Sequence, residues 1–363
     1  RQVVRASHSV RALDVRTTSV AQAAEVGDAL PDGTLVHLFA RGDELGAVTL
    51  TGAAGGDARP ARRAAPVVTA LGSLSGCLRE VAHLQFALAR LASGRGSEEM
   101  LEAARGSADE SARRVSAMLL DPLEGQLRGG RLVIVPSDGL HAVPWNLLPG
   151  AQRGPLHIVP SATSWLTARR RFLDEPRAPG SRTVVIAGPR LRHAGREAAG
   201  IAELANEAEI LDGVAATVDS SLTRLRGSRV AHIAAHGRFE AENPMLSSLQ
   251  LVDGPLMMYD LEALDPPPLQ VVLAACHSAV ARLHAGHELL GLAHALLWFG
   301  SSGVVATSLP APDADTAVLM RHVHEGLAKG CGVAEALWQA RQRVDTSTPA
   351  GYATVAGFEA YGY

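Results

Sequence analysis

The sequence predicts an α/β protein built on a doubly wound, mostly parallel sheet with helices on both faces. Three observations predict it. From residue 131 onward, short apolar runs alternate with helical stretches, the texture of successive βα units. Several of these runs, VAHIAA (230–235) and QVVLAA (270–275) among them, are apolar throughout rather than alternating, as strands covered on both faces require. The chain has 363 residues, 47% of them hydrophobic and 20% charged, enough to bury a large core.

Taken in order, TLVHLFARGDELGAVTLTG (34–52) reads as a hairpin, two β-prone runs around a turn. A Gly-, Pro- and Arg-rich loop follows at 53–65. Spacing near 3.6 predicts helices over 67–93 and 97–120, the second with acids early and arginines late, as the helix dipole favours. Beyond them, 131–137, 156–161, 183–188, 214–218, 230–235, 249–252, 270–275 and 303–309 are the strand candidates. Helices are expected near 162–172, 194–212, 260–264, 287–299, 312–329 and 331–344. DEPRAPGSR (174–182) is the best internal boundary, dividing the chain into an N-terminal half, 1–175, and a second half, 176–363.

The composition excludes several classes. A net charge of −3 gives no electrostatic case for nucleic acid or an anionic membrane. No apolar segment reaches the roughly 18 residues of a membrane helix, and no secretory leader is visible. Three scattered cysteines make no disulfide framework, so a reducing, cytoplasmic setting is expected. The chain opens RQVVRAS without Met, and is expected to be part of something longer.

Two runs carry the chemistry. VAHIAA leads into His236-Gly237, and QVVLAA leads into Cys276-His277-Ser278. Each is a buried strand delivering a polar side chain at its C-terminal end, the edge where open α/β sheets bind ligands. The connection of forty residues is long enough for a crossover, so the strands are expected to be parallel neighbours. At ~4.8 Å between strands, an imidazole and a thiol at their ends can meet, and the imidazole can take the thiol proton. The residues alone are equally consistent with a packing cysteine and a hydrogen-bonded core histidine.

Metal and organic cofactors are not expected. His232 and His236 are about 13 Å apart along a strand at ~3.3 Å per residue, too far to share one ion. No phosphate loop, dinucleotide turn or serine elbow occurs.

The segments VAHIAAHGRFEAENPMLSSLQLVDGPLMMYDLEAL and VVLAACHSA, with the following GHELLGLAHALLWFGSSGVVATSLPAPDADTAVLM, resemble the two catalytic blocks of CHAT domains, bacterial relatives of caspases and separase. LVIVPSDGLHAVPWNLLPG and IVPSATSW look like the non-catalytic first half of such domains, so the resemblance covers most of 30–345. It implies a caspase-like α/β/α sandwich preceded by a degenerate caspase-like half with a helical segment. It makes Cys276 the nucleophile and His236 the acid/base of a cysteine endopeptidase. Backbone N–H groups of Gly237 and Cys276 would form the oxyanion hole, and no cofactor is implied. The partners it implies are a protein or peptide substrate and an upstream sensor region, in proteolytic signalling or defence.

The sequence departs from that family after the cysteine, where Ser278 is followed by Ala279 rather than glycine. His277 beside the nucleophile is unusual and is read, with Ser278, as lining the substrate site. PDADT (312–316) lies where similar proteases carry an acid for a basic P1 side chain, which makes Asp313 and Asp315 candidates. The same carboxylates also suit the first turn of a helix. Two other readings stay open: a pseudoprotease acting as a binding module, and a cysteine amidase or acyltransferase on a small substrate.

Overall fold

The computed structural model describes residues 20–30, 32–52, 65–137, 139–175, 182–191, 193–238, 240, 244–274, 285–307, 309 and 312–363, with the backbone alone at 244, 285–291 and 313. A short helix, α1 (Ala23–Ala29), precedes the hairpin of β1 (Gly33–Arg41) and β2 (Glu44–Thr51), which β3 (Val67–Ser73) extends. Two long helices follow, α2 (Leu74–Ser93) and α3 (Glu98–Leu119). Then come β4 (Arg131–Val135), three 3-10 turns over 140–151, β5 (Leu156–Ile158) and α4 (Ala162–Asp174).

The second half runs β6 (Thr183–Ala187), α5 (Ala194–Ala202), β7 (Ala208–Leu211), α6 (Val218–Leu225) and β8 (Val230–Ala234). Three short strands, β9 (His236–Arg238), β10 (Ser248–Gln250) and β11 (Pro255–Met257), lead to α7 (Met258–Glu262) and β12 (Gln270–Leu273). It closes with α8 (Ala285–Phe299), β13 (Gly303–Thr307), α9 (Asp313–Ala328), α10 (Val333–Arg341), α11 (Pro349–Gly357) and β14 (Phe358–Gly362).

Three expectations are corrected. Residues 67–73 form an edge strand rather than the start of a helix. Val67, Val68 and Thr69 are β-branched, the free edge of β2 accepts them, and the Ser73 side chain caps α2 by accepting from the Gly76 amide. The helix expected over 194–212 stops at Ala202, because Ala208–Leu211 pairs with the open edge of β6. Residues 214–218 are no strand: a 3-10 turn at Gly213–Ala215 runs into Thr217, which caps α6. The 53–65 loop and the 174–182 boundary fall largely outside the described residues.

Eleven strands form one sheet in the order β3-β2-β1-β4-β5-β14-β13-β12-β8-β6-β7 among the described residues. β1, β4, β5 and β14 are mutually parallel, as are β13, β12, β8, β6 and β7. β14 is antiparallel to β13, so the two parallel blocks point in opposite directions and their C-terminal edges lie at opposite ends of the sheet. Along β8, Ala231 and Ile233 face one core cluster while Val230 and Ala234 face another. Coverage on both sides explains why these runs lack alternation.

The seam between the blocks holds a buried polar cluster. Glu359 of β14 is 1% exposed and accepts from the Trp145 amide at 2.7 Å and the Tyr361 hydroxyl at 3.1 Å. Asn146 donates its amide to the Phe358 carbonyl at 2.7 Å, and its Oδ1 accepts from Arg341 Nη1 at 2.9 Å. The loop VPWNLLPG is thereby fastened to β14 and α10. Burial lifts the Glu359 carboxyl to about 8, against the pull of those donors and of Arg341.

Asn146→Ala removes the side-chain donor to the Phe358 carbonyl and one of the two bonds Arg341 makes to residue 146, the one to its backbone carbonyl remaining, and is expected to cost about 2 kcal/mol in urea denaturation. Glu359 holds its proton more tightly folded than unfolded, so its contribution is complete below about pH 4.5 and lost as pH rises through about 8. His37, His157, His294 and His324, all held below their ordinary range by burial, still differ from the unfolded chain at about pH 6.5 and shift stability the opposite way over the next unit, equally with or without the Glu359 carboxyl. Between pH 6.5 and 8 the wild type should therefore lose about 1–2 kcal/mol through this carboxyl. Glu359→Gln should lose less, a comparison read from urea midpoints at the two pH values.

Candidate active site

β8 lies between β12 and β6, and all three are parallel. Leu273 is level with Ile233, and the Ala274 amide donates to the Ile233 carbonyl at 3.1 Å. On the other side Ala187 is level with Ala234, whose carbonyl accepts from the Gly188 amide at 2.7 Å. Three chains therefore leave the sheet at one level. Gly188 is required there: a Cβ would stand 2.9 Å from Ala235 Cβ and 2.9 Å from the Gln250 carbonyl oxygen.

Past Ala235 the chain enters a small antiparallel sheet in the order β11-β10-β9. Its register makes two cross-strand ranks, His236–Gln250–Pro255 and Arg238–Ser248–Met257. Between them Leu249 and Leu256, 1% and 0% exposed, belong to the main core. The alternation therefore turns one face inward and leaves the rank that holds His236 on the other. That face floors an open depression of about 1020 Å³, walled by Pro189, Arg190, Leu246 and Val252.

The His236 ring is half-buried, and its Nδ1 is shielded from solvent with no hydrogen-bond partner among the described residues. His232, four positions earlier, is differently placed. It is fully buried, with Nδ1 3.0 Å from Nε2 of His324 on α9. Its Nε2 lies 3.2 Å from Oε1 of Glu197 on α5, though not in hydrogen-bond alignment. Burial, and then the neighbouring His232, pushes the His324 imidazole well below its ordinary range. These three groups join α5, β8 and α9 beneath the rim. Among the described residues no group of three or more His, Cys, Asp or Glu is placed to hold a metal ion.

Cys276, His277 and Ser278 lie outside the described residues. Gly237 pairs with Leu249 in the small sheet. Asp313 is the first residue of α9, and Asp315 is half-buried in the same turn. The sequence reading missed Glu197, His324 and Arg190. Glu197 and His324 sit in ordinary helical stretches and are joined only by the fold. Arg190 carried one signal, its place just after a strand in VVIAGPR. It has a φ of +65°, the one positive value at a non-glycine among the described residues.

A family model described as the CHAT domain matches residues 109–352, about two thirds of the chain. No curated protein matches the sequence. Among solved structures, Saccharomyces cerevisiae separase in complex with securin is similar at a TM-score of 0.62 and 10% identity, covering 94% of this chain and 30% of separase. A second structure of that complex gives 0.60 and 11%, covering 93% and 30%. The chain thus spans under a third of separase's length, and the likeness shows a shared fold. No described helix is long and apolar enough to cross a membrane.

Gly188→Ala forces Ala235 and Gln250 apart at the point where β8 delivers His236. It is expected to destabilise the chain by about 1–3 kcal/mol, measured in urea, and to move the His236 ring resonances in NMR.

Proposed function

Because this chain belongs to the CHAT domain family, whose model matches most of it, we propose that it is a cysteine endopeptidase working through Cys276 and His236. The observation that carries the reading is the parallel register of β8 and β12. Cys276 stands three residues past Leu273, as His236 stands three residues past its partner Ile233. With strands ~4.8 Å apart, that count suits an imidazole–thiol pair.

The chemistry follows from the pair. His236 takes the thiol proton, and the thiolate attacks the scissile carbonyl. Amide N–H groups of Gly237 and Cys276 receive the oxyanion, a contribution typically of about 10²–10³ in rate per donor. His236 then returns the proton to the leaving amine, and a thioester remains on Cys276. Water, deprotonated by the same imidazole, releases the acid and restores the thiol. Among the described residues Nδ1 of His236 has no hydrogen-bond partner, so none of them competes for that nitrogen.

The open depression beside His236 favours an extended peptide over a small molecule, which an enclosed pocket would suit better. On the far side of β12 lies β13, whose chain continues into α9. The carboxylate of Asp315, with Asp313 in the same turn, receives a basic P1 side chain there, a match for guanidinium; His277 and Ser278 line the same substrate site. The setting is bacterial proteolytic signalling or defence in the cytoplasm.

A peptide-based electrophile should add one equivalent to the wild type by intact mass and none to Cys276→Ala. Burial, and then Glu80, pushes the Cys77 thiol up to about 11, which keeps that thiol silent at neutral pH. An unreactive wild type would mark a pseudoprotease and sink the reading, as would labelling that survives Cys276→Ala. His236→Ala should slow the reaction by about 10²-fold or more. Peptide-library profiling should show cleavage after Arg or Lys, weakened about tenfold or more by Asp315→Asn; cleavage after apolar residues alone removes the P1 role.

A further inference from the structure

We propose that the depression over the small sheet is the subsite for the leaving-group side of the substrate, and that Arg190 makes it select an acidic side chain within the first three residues after the scissile bond. The inference rests on the peptidase reading above and adds a direction and a chemistry to it. In thioester chemistry the acyl part stays on the nucleophile, and the imidazole protonates the departing amine. β12, which leads to Cys276, lies on one side of β8, and β6, which leads to Arg190, lies on the other. The depression is lined by His236 and by Pro189 and Arg190 from the β6 end. Among the described residues it thus reaches from the imidazole toward the β6 end, on the side of β8 opposite β12, and to that side we assign the departing amine.

Its size fits a short extended segment. From β9 across β10 to β11 is two strand spacings, ~10 Å, the length of about three extended residues. The floor is polar near His236 and Gln250 and becomes apolar at Met257, with Val252 and Leu246 exposed beside it, 44% and 50%.

Charge sets the chemical class. Among the described residues, the charged groups lining the depression are Arg190, Arg238 and Glu240. Arg238 Nε is 3.0 Å from Glu240 Oε1, so that pair is internally compensated. Arg190 is exposed and has no ion pair among the described residues. Its backbone also sits at φ +65°, a conformation that disfavours side-chain-bearing residues and clusters at ligand sites. A guanidinium held there is matched by a carboxylate.

The test is binding, which needs no turnover. The full chain carrying Cys276→Ala is titrated into C-terminally labelled, amidated tetrapeptides with a free N-terminus, read by fluorescence anisotropy at low salt. The peptides carry Glu or Gln at the first, second or third position. At least one Glu peptide should bind about tenfold tighter than its Gln twin, the effect expected of a charged hydrogen-bonded pair. Adding Arg190→Gly relieves the backbone while removing the guanidinium, so a purely structural role predicts unchanged selectivity with equal or greater stability. We expect the Glu/Gln ratio to fall within about twofold of unity, and Arg190→Glu to reverse it. Ratios within twofold at all three positions in the parent, or a ratio that survives Arg190→Gly, overturn the inference. Labelling of Cys276 without acid selectivity fells this inference alone; acid selectivity without labelling fells the peptidase reading.

Discussion

The level at which three parallel strands end is the constraint on which the rest of the site depends. β6, β8 and β12 are hydrogen-bonded in register, so their chains leave the sheet side by side and at one height. Parallel strands can be neighbours only when covered crossovers separate them, and that coverage makes the runs apolar on both faces. Burial thus sets the register, and the register sets which polar residues share the rim. Gly188 shows how tight the arrangement is, since even a methyl group there would strike Ala235 and the Gln250 carbonyl.

Below the rim, buried polar groups join elements that apolar packing leaves free to slide. His232 links β8 to α9 through His324 and approaches Glu197 of α5. Those helices each begin at the same edge of the sheet. Hydrogen bonds are directional where dispersion contacts are not, so such a cluster specifies one arrangement among several well-packed ones. The seam at β14 uses the same device on a larger scale. There Glu359, Asn146 and Arg341 bind the Trp145–Leu148 loop to the last strand, holding two oppositely directed blocks in one sheet.

The small sheet converts this rigidity into a surface. Its alternation turns Leu249 and Leu256 into the core and leaves His236 beside an open depression. A histidine within the packed strand is enclosed by other elements, as His232 is between α5 and α9. Leaving the main sheet at Ala235 is what spares His236 that fate. The fold shared with separase is therefore a frame, and the open surface beside His236 belongs to short elements hung on its edge.

Much of this was legible in the residues. Continuous apolar runs marked the parallel strands, the 34–52 hairpin lay on its turn signal, and the His-Gly and Cys-His strand ends stood out because buried strands seldom finish on such groups. Local pattern also placed α3, α8, α9 and α10 within a few residues of their observed bounds. It failed where a free sheet edge decided the outcome: 67–73 became strand because β2 lay open, and 208–211 because β6 did. Edges are products of the whole fold, and no window of sequence contains them. The same holds for Glu197, His232 and His324, which span over a hundred residues of chain and meet only after α5 and α9 pack on β8. Local pattern sufficed for the type of most elements and for the end of β8 before His236; juxtaposition of distant side chains is a property of packing, and only the tertiary structure decided it.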